Sequence, residues 1–188
     1  MKFRKPVRWT RRFQIIFFHD GIERPIQRPK DVEAQQAHYS GKHKRHTVKN
    51  NVLTNAESKV VFLTPTCQGS IHDKCLADRA GYAPPPGSVL YQDRGFQGFS
   101  VPDVKIIQPK KKPKGQDLMP EEKAKNRKIS SIRVRVEHTI AGIKRFRIVK
   151  DTLRNTKKGF ADLVMETCCG LHNFRLNFRP WVYPTPQD

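Results

Sequence analysis

One helical segment, residues 130–144, constrains the fold of this chain more than any other part of the sequence. Apolar residues recur in and beside it at three- and four-residue steps, the spacing of a helix face that packs on a core. They are Ile129, Ile132, Val136, Ile140 and Ile143. A second stripe contains Arg133, Glu137 and Lys144, because offsets of four and seven residues return to nearly the same angle on a helix. The pattern therefore predicts one acid held between two bases at the border of a buried face.

The charge balance indicates the class of partner. The 188 residues include 37 Lys and Arg against 17 Asp and Glu, a formal net charge of +20. A chain this basic is expected to bind a polyanion, and nucleic acid is the default. In such a chain, an acid fixed beside a core is favoured as a ligand for a metal ion near that polyanion.

Cysteine usage and hydropathy exclude several other classes. The four cysteines are Cys67, Cys75, Cys168 and Cys169. None forms a C-x-x-C pair, so a zinc site has little support, and a reducing compartment fits best. The sequence has no apolar run of about 18 residues and no signal-peptide pattern near its start. We expect a cytoplasmic protein.

The order of elements predicts an α/β fold. Strands are expected in short apolar runs at 13–18, 44–53, 58–66, 89–92 and 103–108, and the runs at 44–53 and 58–66 resemble the two arms of a hairpin. Helices are expected at 31–38, at 72–80, from about Pro120 with an interruption near Lys128, and at 160–178. The other segments are an extended loop at 22–30, a basic linker at 109–116 and a connector at 147–154. This mixture predicts a central mixed sheet with flanking helices, while the strand order stays open.

The length suits a single domain. We expect a basic leader at 1–12, one α/β domain at 13–178 and an irregular tail at 179–188. The terminal aromatic residues are expected to pack on the domain rather than to stack on unpaired bases. They are Trp9, Trp181 and Tyr183.

Three acids stand at positions that rigid elements would fix. Asp20 follows the first apolar strand, Asp93 follows the strand at 89–92, and Glu137 lies within the long helix. Acids held by rigid elements are what a metal site requires. Two or three carboxylates can hold a pair of magnesium ions about 3.5–4 Å apart, which clamp the attacking and leaving oxygens of a phosphodiester.

Each of these acids also has a structural interpretation. An acid after a strand often forms a turn or caps a helix. Glu137 can pair with Arg133 or with Lys144 along its own helix. Asp73 either caps the short helix at 72–80 or assists metal binding, and the pattern favours the cap.

Seven short blocks follow one another along residues 13–178. They are DGIERPIQRP, YSGKHKRHTVK, HDKCLAD with AGY, DRGFQG, KKPKGQDL with EEKAKNRKIS, RVRVEHTIAGIKRFRI and LHNFR. Together they resemble the DDE transposases of bacterial insertion sequences, in the group related to insertion sequence five and to the eukaryotic Harbinger elements. The number of blocks and their shared order argue against chance.

The resemblance implies a ribonuclease-H-like fold whose three acids bind two divalent metal ions. Asp20, Asp93 and Glu137 match the family's three acids and are the expected catalytic and metal-binding residues. The expected metal is Mg²⁺, with Mn²⁺ as a substitute. Arg133 and Lys144, four residues before and seven after the third acid, match family positions that would contact the DNA end or its phosphates.

The sequence departs from the family pattern in two places. Ile22 stands where Thr is usual, and nineteen residues precede Asp20 where family members usually carry a helical DNA-binding segment. The chain is therefore expected to be the C-terminal, catalytic part of a transposase, truncated at its N-terminus.

The implied partner is DNA, both the ends of a mobile element and its target. The protein would act as a homo-oligomer in the nucleoid-associated cytoplasm. Besides the two family positions, basic residues of the hairpin, the linker and the helix end are expected to neutralise phosphates. They are Lys44, Arg45, Lys110, Lys111, Lys112 and Arg145.

The sequence predicts a DNA transposase catalytic domain that performs metal-dependent phosphodiester hydrolysis and strand transfer. One alternative is a catalytically incompetent transposase remnant that acts as a basic DNA-binding protein. Another is an RNA-binding protein, which fits the charge but does not account for three acids at the ends or flanks of apolar elements.

Overall fold

The computed structural model describes residues 15–183. Its strands are β1 (Ile16–Pro25), β2 (Tyr39–Ser40), β3 (Arg45–Asn55), β4 (Val60–Leu63), β5 (Cys67–Gln68), β6 (Val89–Gln92) and β7 (Lys105–Ile107). Its helices are α1 (Val32–His38), α2 (Asp73–Ala80), α3 (Pro120–Ile143), α4 (Arg147–Lys150) and α5 (Phe160–Phe178). The predicted leader at 1–12 with Trp9, the start of the first predicted strand and the end of the tail lie outside the described residues.

The strands form one mixed sheet. The path runs β2-β3-β1-β6-β7, and β4 and β5 also pair with β3. β1 is antiparallel to β3 but parallel to β6, which is parallel to β7. The predicted hairpin is confirmed as β3 and β4.

Each face of the sheet packs on its own apolar cluster, since successive strand residues point to opposite faces. Phe18, Ile22 and Val52 belong to a cluster that also contains residues of α3, α4 and α5. Phe17 and Leu90 belong to a second cluster with Ala77 of α2. The result is a mixed sheet between helices, which confirms the predicted α/β class and is consistent with a ribonuclease-H-like fold.

The apolar stripe of the long helix packs as predicted. Ile129, Val136 and Ile143 are buried, and Ile132 and Ile140 are partly buried against the first cluster. The expected interruption near Lys128 is wrong, because α3 is continuous.

Polar contacts hold the exposed first half of α3. Pro120 opens the helix, and the Glu122 side chain accepts the backbone N–H of Met119 at 3.0 Å. Asn126 clamps the basic linker, because its side chain accepts the N–H of Lys110 at 2.8 Å and donates to the C=O of Lys110 at 3.0 Å.

The first strand is longer than predicted. The segment from Ile22 to Pro25, expected as loop, continues β1 and pairs with β3. Arg24 is only 1% exposed in this extension, and its guanidinium donates to Asn50 at 2.8 Å and to Thr66 at 3.0 Å. A buried Arg with matched acceptors is tolerated in a strand. The loop was expected because the segment contains Pro25 and Pro29.

The remaining helices agree closely with their predictions. Asp31 caps α1 by accepting the N–H of Ala34 at 2.7 Å. Gly81 ends α2 with a φ of 59°, a left-handed conformation that glycine adopts at little cost. The connector at 147–154 contains the short helix α4, which the pattern did not predict. None of the helices in residues 15–183 is long and apolar enough to cross a membrane.

Candidate active site

Asp20 and Asp93 lie next to each other where two parallel strands separate. His19 of β1 pairs with Gln92, the last residue of β6. Asp20 and Asp93 directly follow this pair, so both leave it on the same side of the sheet. β1 then continues with β3 as its partner. Asp20 was expected at the end of its strand; it lies in mid-strand instead, at the point where the neighbouring strand ends.

The Asp20 carboxylate is in an environment that opposes its charge. Its side chain is 19% exposed, and burial, as the largest effect, raises its pKa from 3.8 to about 6. The positive charge of Arg133 and the N–H of Gly21 oppose this rise, while the negative charges of Asp93 and Asp73 add to it. Arg133 Nη2 lies 3.4 Å from Asp20 Oδ2, and the Gly21 N–H donates to Oδ1 at 2.8 Å. Excess negative charge at such a site favours a bound cation.

Asp93 is oriented by the turn that follows it. Its Oδ1 accepts the N–H of Gly95 at 2.6 Å and so caps the short 3₁₀ turn Arg94–Phe96. The Gln108 side chain donates to the backbone carbonyl of Asp93. Asp93 therefore forms a turn, as its structural interpretation predicted. The turn also fixes the carboxylate beside Asp20.

A third carboxylate, that of Asp73 in the first turn of α2, reaches the same place. A β-carbon added to Gly21 would lie 3.0 Å from Asp73 Oδ1, and one added to Gly95 would lie 3.0 Å from Asp73 Oδ2. Lys49 Nζ of β3 is 3.1 Å from Oδ1. The sequence pattern favoured Asp73 as a helix cap. The signal that could have favoured a place in the site is the pair His72 and Asp73, which follows the hairpin.

Glu137 lies one turn beyond Arg133 on α3, and its side chain is exposed. The residue of α3 that contacts the Asp20 carboxylate is Arg133. Within residues 15–183, no three His, Cys, Asp or Glu side chains are grouped so that they could hold a metal ion. The structure thus brings Asp20 and Asp93 together. The role of Glu137 as the third metal ligand stays a prediction.

The predicted DNA-contacting cations lie on several exposed segments. Lys144 ends α3 and is half-buried, and the exposed Arg145 borders an open groove with Trp181 and Tyr183. Lys44 is exposed in the turn before β3, and Arg45 is exposed as the first residue of β3.

The linker lysines are exposed too, and two have acidic partners. Lys110 pairs with Glu122, and Lys112 Nζ lies 2.6 Å from Asp117 Oδ1. Exposed pairs of this kind contribute little to stability, so these lysines can exchange partners at small cost. Lys111 is exposed as well.

The tail aromatics pack on the domain, as expected. Trp181 makes an edge contact with the buried His172, with ring centroids 5.6 Å apart. Tyr183 stacks on His138 at 6.0 Å, and the Arg135 guanidinium lies 4.7 Å from the centre of its ring. His138 therefore faces the tail.

The two aspartates at the separation of β1 and β6 supply oxygen atoms, the ligand type that Mg²⁺ prefers, and each is positioned by a strand or its end. Asp20 and Asp93 each keep one carboxylate oxygen that no backbone N–H engages within the described residues.

Comparisons with known proteins agree on one family. A sequence model described as DDE superfamily endonuclease matches residues 19–173. A probable transposase for insertion sequence element IS702 from Microchaete diplosiphon is 31% identical over 157 residues, which are 84% of this chain and 56% of that protein. The chain thus spans about half the length of this curated relative. No solved structure matches the chain.

Proposed function

The chain belongs to the DDE superfamily of endonucleases, and on this premise we propose that it is the catalytic core of a DNA transposase. The reaction would be cleavage of phosphodiester bonds at the ends of a mobile element, followed by strand transfer into target DNA. The core would comprise residues 13–178. The whole protein would act as a homo-oligomer in the nucleoid-associated cytoplasm.

One observation carries this proposal: two acids that are distant in sequence meet at one point of the sheet. Asp20 and Asp93 directly follow the paired residues His19 and Gln92. A pair of buried or half-buried carboxylates costs free energy unless a cation compensates for it. An enzyme that binds divalent cations requires such a pair of carboxylates at one point.

The proposed ligands are Asp20, Asp93 and Glu137, and the proposed metal is two Mg²⁺ ions, for which Mn²⁺ would substitute. When bound, such ions supply an activated water or 3′-hydroxyl and stabilise the leaving oxygen. The protein itself contributes position and charge. Asp20 is fixed by β1, Asp93 by its 3₁₀ turn, and Glu137 by a helix whose apolar stripe is buried.

Basic side chains around these acids are proposed to hold the DNA backbone. Arg133 is the nearest, and it already donates to one carboxylate oxygen of Asp20 at 3.4 Å. Its planar guanidinium is the group that binds phosphate oxygens most specifically, which supports this role. The other proposed contacts are Lys144, Arg145, Lys44, Arg45, Lys110, Lys111 and Lys112.

Nicking of duplex DNA that carries element ends, with MgCl₂ present, tests the proposal. Asp93→Ala should lose at least a hundredfold in rate. Asp103→Asn is the matched control, because Asp103 is exposed and its φ of 57° is one that Asn tolerates. Equal nicking by the wild type and Asp93→Ala would remove the catalytic claim.

A second function has one observation in its favour. Glu137 is exposed and is not grouped with the two aspartates. A chain that never assembles its third ligand would be a DNA-binding remnant without catalysis. Retention of salt-sensitive DNA binding in a protein without Mg²⁺-dependent nicking would favour this reading, and a preference for RNA over DNA would contradict both.

A further inference from the structure

The last helix, α5, is apolar on two opposite sides. Its inner side consists of the buried residues Val164, Met165, Cys168, Cys169, His172 and Leu176. Its outer side carries the exposed apolar residues Leu163, Leu171, Phe174 and Phe178. A helix that is apolar all round is normally buried all round. The outer side of α5 is therefore a surface that residues 15–183 leave uncovered.

The four exposed residues form one stripe, the outer stripe. Steps of eight, three and four residues separate them, and such steps return to one side of a helix. Thr167 and Gly170 complete the stripe, so no charged residue interrupts it. The rings of Phe174 and Phe178 contact each other with their centroids 5.0 Å apart and present one continuous apolar surface.

Side-chain hydrogen bonds fix α5 so that the outer stripe faces away from the domain. Asn173 accepts the N–H of Val60 and donates to its C=O, both at 2.8 Å. Asn177 accepts a hydrogen bond from Lys59 Nζ at 2.8 Å. Both asparagines border the stripe and attach the helix to the start of β4. The stripe cannot turn inwards without breaking these bonds.

Gly170, near the middle of the stripe, leaves room for a close neighbour. A β-carbon added there would meet no atom within 4 Å, so no packing contact within the described residues requires a glycine. Glycine also lowers the stability of a helix interior. A small residue at this position lets a second helix approach closely, because the distance between packed helices depends on the side chains at their contact.

Charge indicates which partner fits the outer stripe. DNA does not fit, because the stripe has no cation that would hold a phosphate. Residues 1–14 include six Lys and Arg and no acid, and the stripe has no acid to attract them. A second copy of this chain brings an identical uncharged stripe, and a two-fold axis places the two stripes face to face.

The area of the stripe is close to what a dimer needs. Its four large residues are 58%, 46%, 61% and 71% exposed in chain order. At roughly 200 Å² for a fully exposed side chain of this size, they present about 500 Å² per copy. This is more than half of the ~800 Å² that each partner contributes to a standard interface, and the bordering residues supply further area.

We propose that the outer stripe of α5 is a homodimer interface, in which the α5 helices of two copies pack on each other about a two-fold axis near Gly170. The interface is apolar and needs neither DNA nor metal, so the inference goes beyond the proposed chemistry. Each copy carries a formal charge of +20, and salt screens the repulsion between the copies. The dimer should therefore be at least as stable at high salt as at low salt.

Sedimentation equilibrium of the full chain in EDTA, after removal of nucleic acid, tests the proposal at 150 and 500 mM NaCl. The wild type should be dimeric at about 100 µM chain, with a dissociation constant in the micromolar range. Phe174→Asp should raise that constant at least tenfold. Val32→Asp is the matched control, because Val32 is similarly exposed, at 67%, but lies on α1; this variant should dimerise like the wild type.

A second variant decides the question if Phe174→Asp has no cooperative unfolding transition. Gly170→Gln introduces a better helix former at a position with no neighbour within 4 Å, so the domain should unfold at the wild-type temperature or above. Its long side chain would obstruct the close approach of a second helix and should raise the dissociation constant at least tenfold.

Three results would overturn the proposal. The first is a monomeric wild type at both salt concentrations, which is also the result expected if residues 1–14 cover the stripe. The second is a dimer that Phe174→Asp and Gly170→Gln leave unchanged, because another surface would then hold it. The third is a dissociation constant that rises with salt, which would indicate contacts between charges. Since neither DNA nor metal is present, each result leaves the proposed function untouched.

Discussion

Replacement of Asp20 by Asn should stabilise this protein at neutral pH in the absence of metal. The pKa of Asp20 rises from 3.8 in the unfolded chain to about 6 in the fold, so its ionised form is disfavoured there. At about 1.4 kcal/mol per pKa unit, ionised Asp20 lowers the free energy of unfolding by about 3 kcal/mol above pH 7. Asn keeps one oxygen that can accept the N–H of Gly21, it gives up the weak 3.4 Å hydrogen bond from Arg133, and it has no charge to bury.

The sign of the pH dependence follows from the same pKa values. Between pH 3.8 and 6 the folded state binds more protons at Asp20 than the unfolded state does, so the wild type loses stability as pH rises through this window. The advantage of Asp20→Asn should therefore be about 3 kcal/mol at pH 7.5, about half of that at pH 5, and small at pH 4. Many catalytic groups are held at such a cost to stability.

Urea unfolding in EDTA at pH 7.5, 5 and 4, followed by circular dichroism, measures these differences. Asp103→Asn serves as control, because Asp103 is exposed and its variant should follow the wild type at every pH. An Asp20→Asn protein that is less stable than the wild type at pH 7.5 would refute the reasoning, as would an advantage that does not shrink as the pH falls.

Three further predictions concern the fold, the third acid and the DNA. Arg24→Met should lower the free energy of unfolding by about 3 kcal/mol in urea titrations, because it removes the charged donor of the buried acceptors on Asn50 and Thr66. Glu137→Gln should abolish Mg²⁺-dependent nicking yet shift the free energy of unfolding by less than about 0.5 kcal/mol, because the side chain is exposed; undiminished nicking would remove Glu137 from the site. DNA affinity measured by fluorescence anisotropy should fall about a thousandfold between 50 and 200 mM salt, and a triple Gln variant of the linker lysines should reduce that slope; an unchanged slope would exclude those lysines from the interface.

The sequence was a good guide wherever structure depends on neighbouring residues. The limits of α5 were predicted to the residue, and those of α2 to within one residue, because apolar periodicity and a terminal glycine are local signals. The first strand was predicted to end at Phe18, and the segment after it was predicted as a loop because it contains Pro25 and Pro29. The pairing with β3 that makes residues 19–25 part of the strand is a contact between distant parts of the chain.

The candidate site was predictable in part. Asp20 and Asp93 could be chosen because each follows an apolar run, but their adjacency depends on the parallel pairing of two strands about seventy residues apart. Asp73 was interpreted as a helix cap from its position at the start of α2. The sequence does not indicate that Gly21 and Gly95, which have no side chains, leave space for its carboxylate. Space between backbones is a property of the folded chain and leaves little trace in a pattern of side-chain types.

The clamp that Asn126 forms on the backbone of Lys110 has a consequence for how the protein holds a ligand. The two hydrogen bonds attach the basic linker to α3, the helix that also carries Arg133 and Glu137. A polyanion bound to the linker would therefore be connected through α3 to Arg133 and Glu137, and a displacement of the linker would be transmitted to these two side chains.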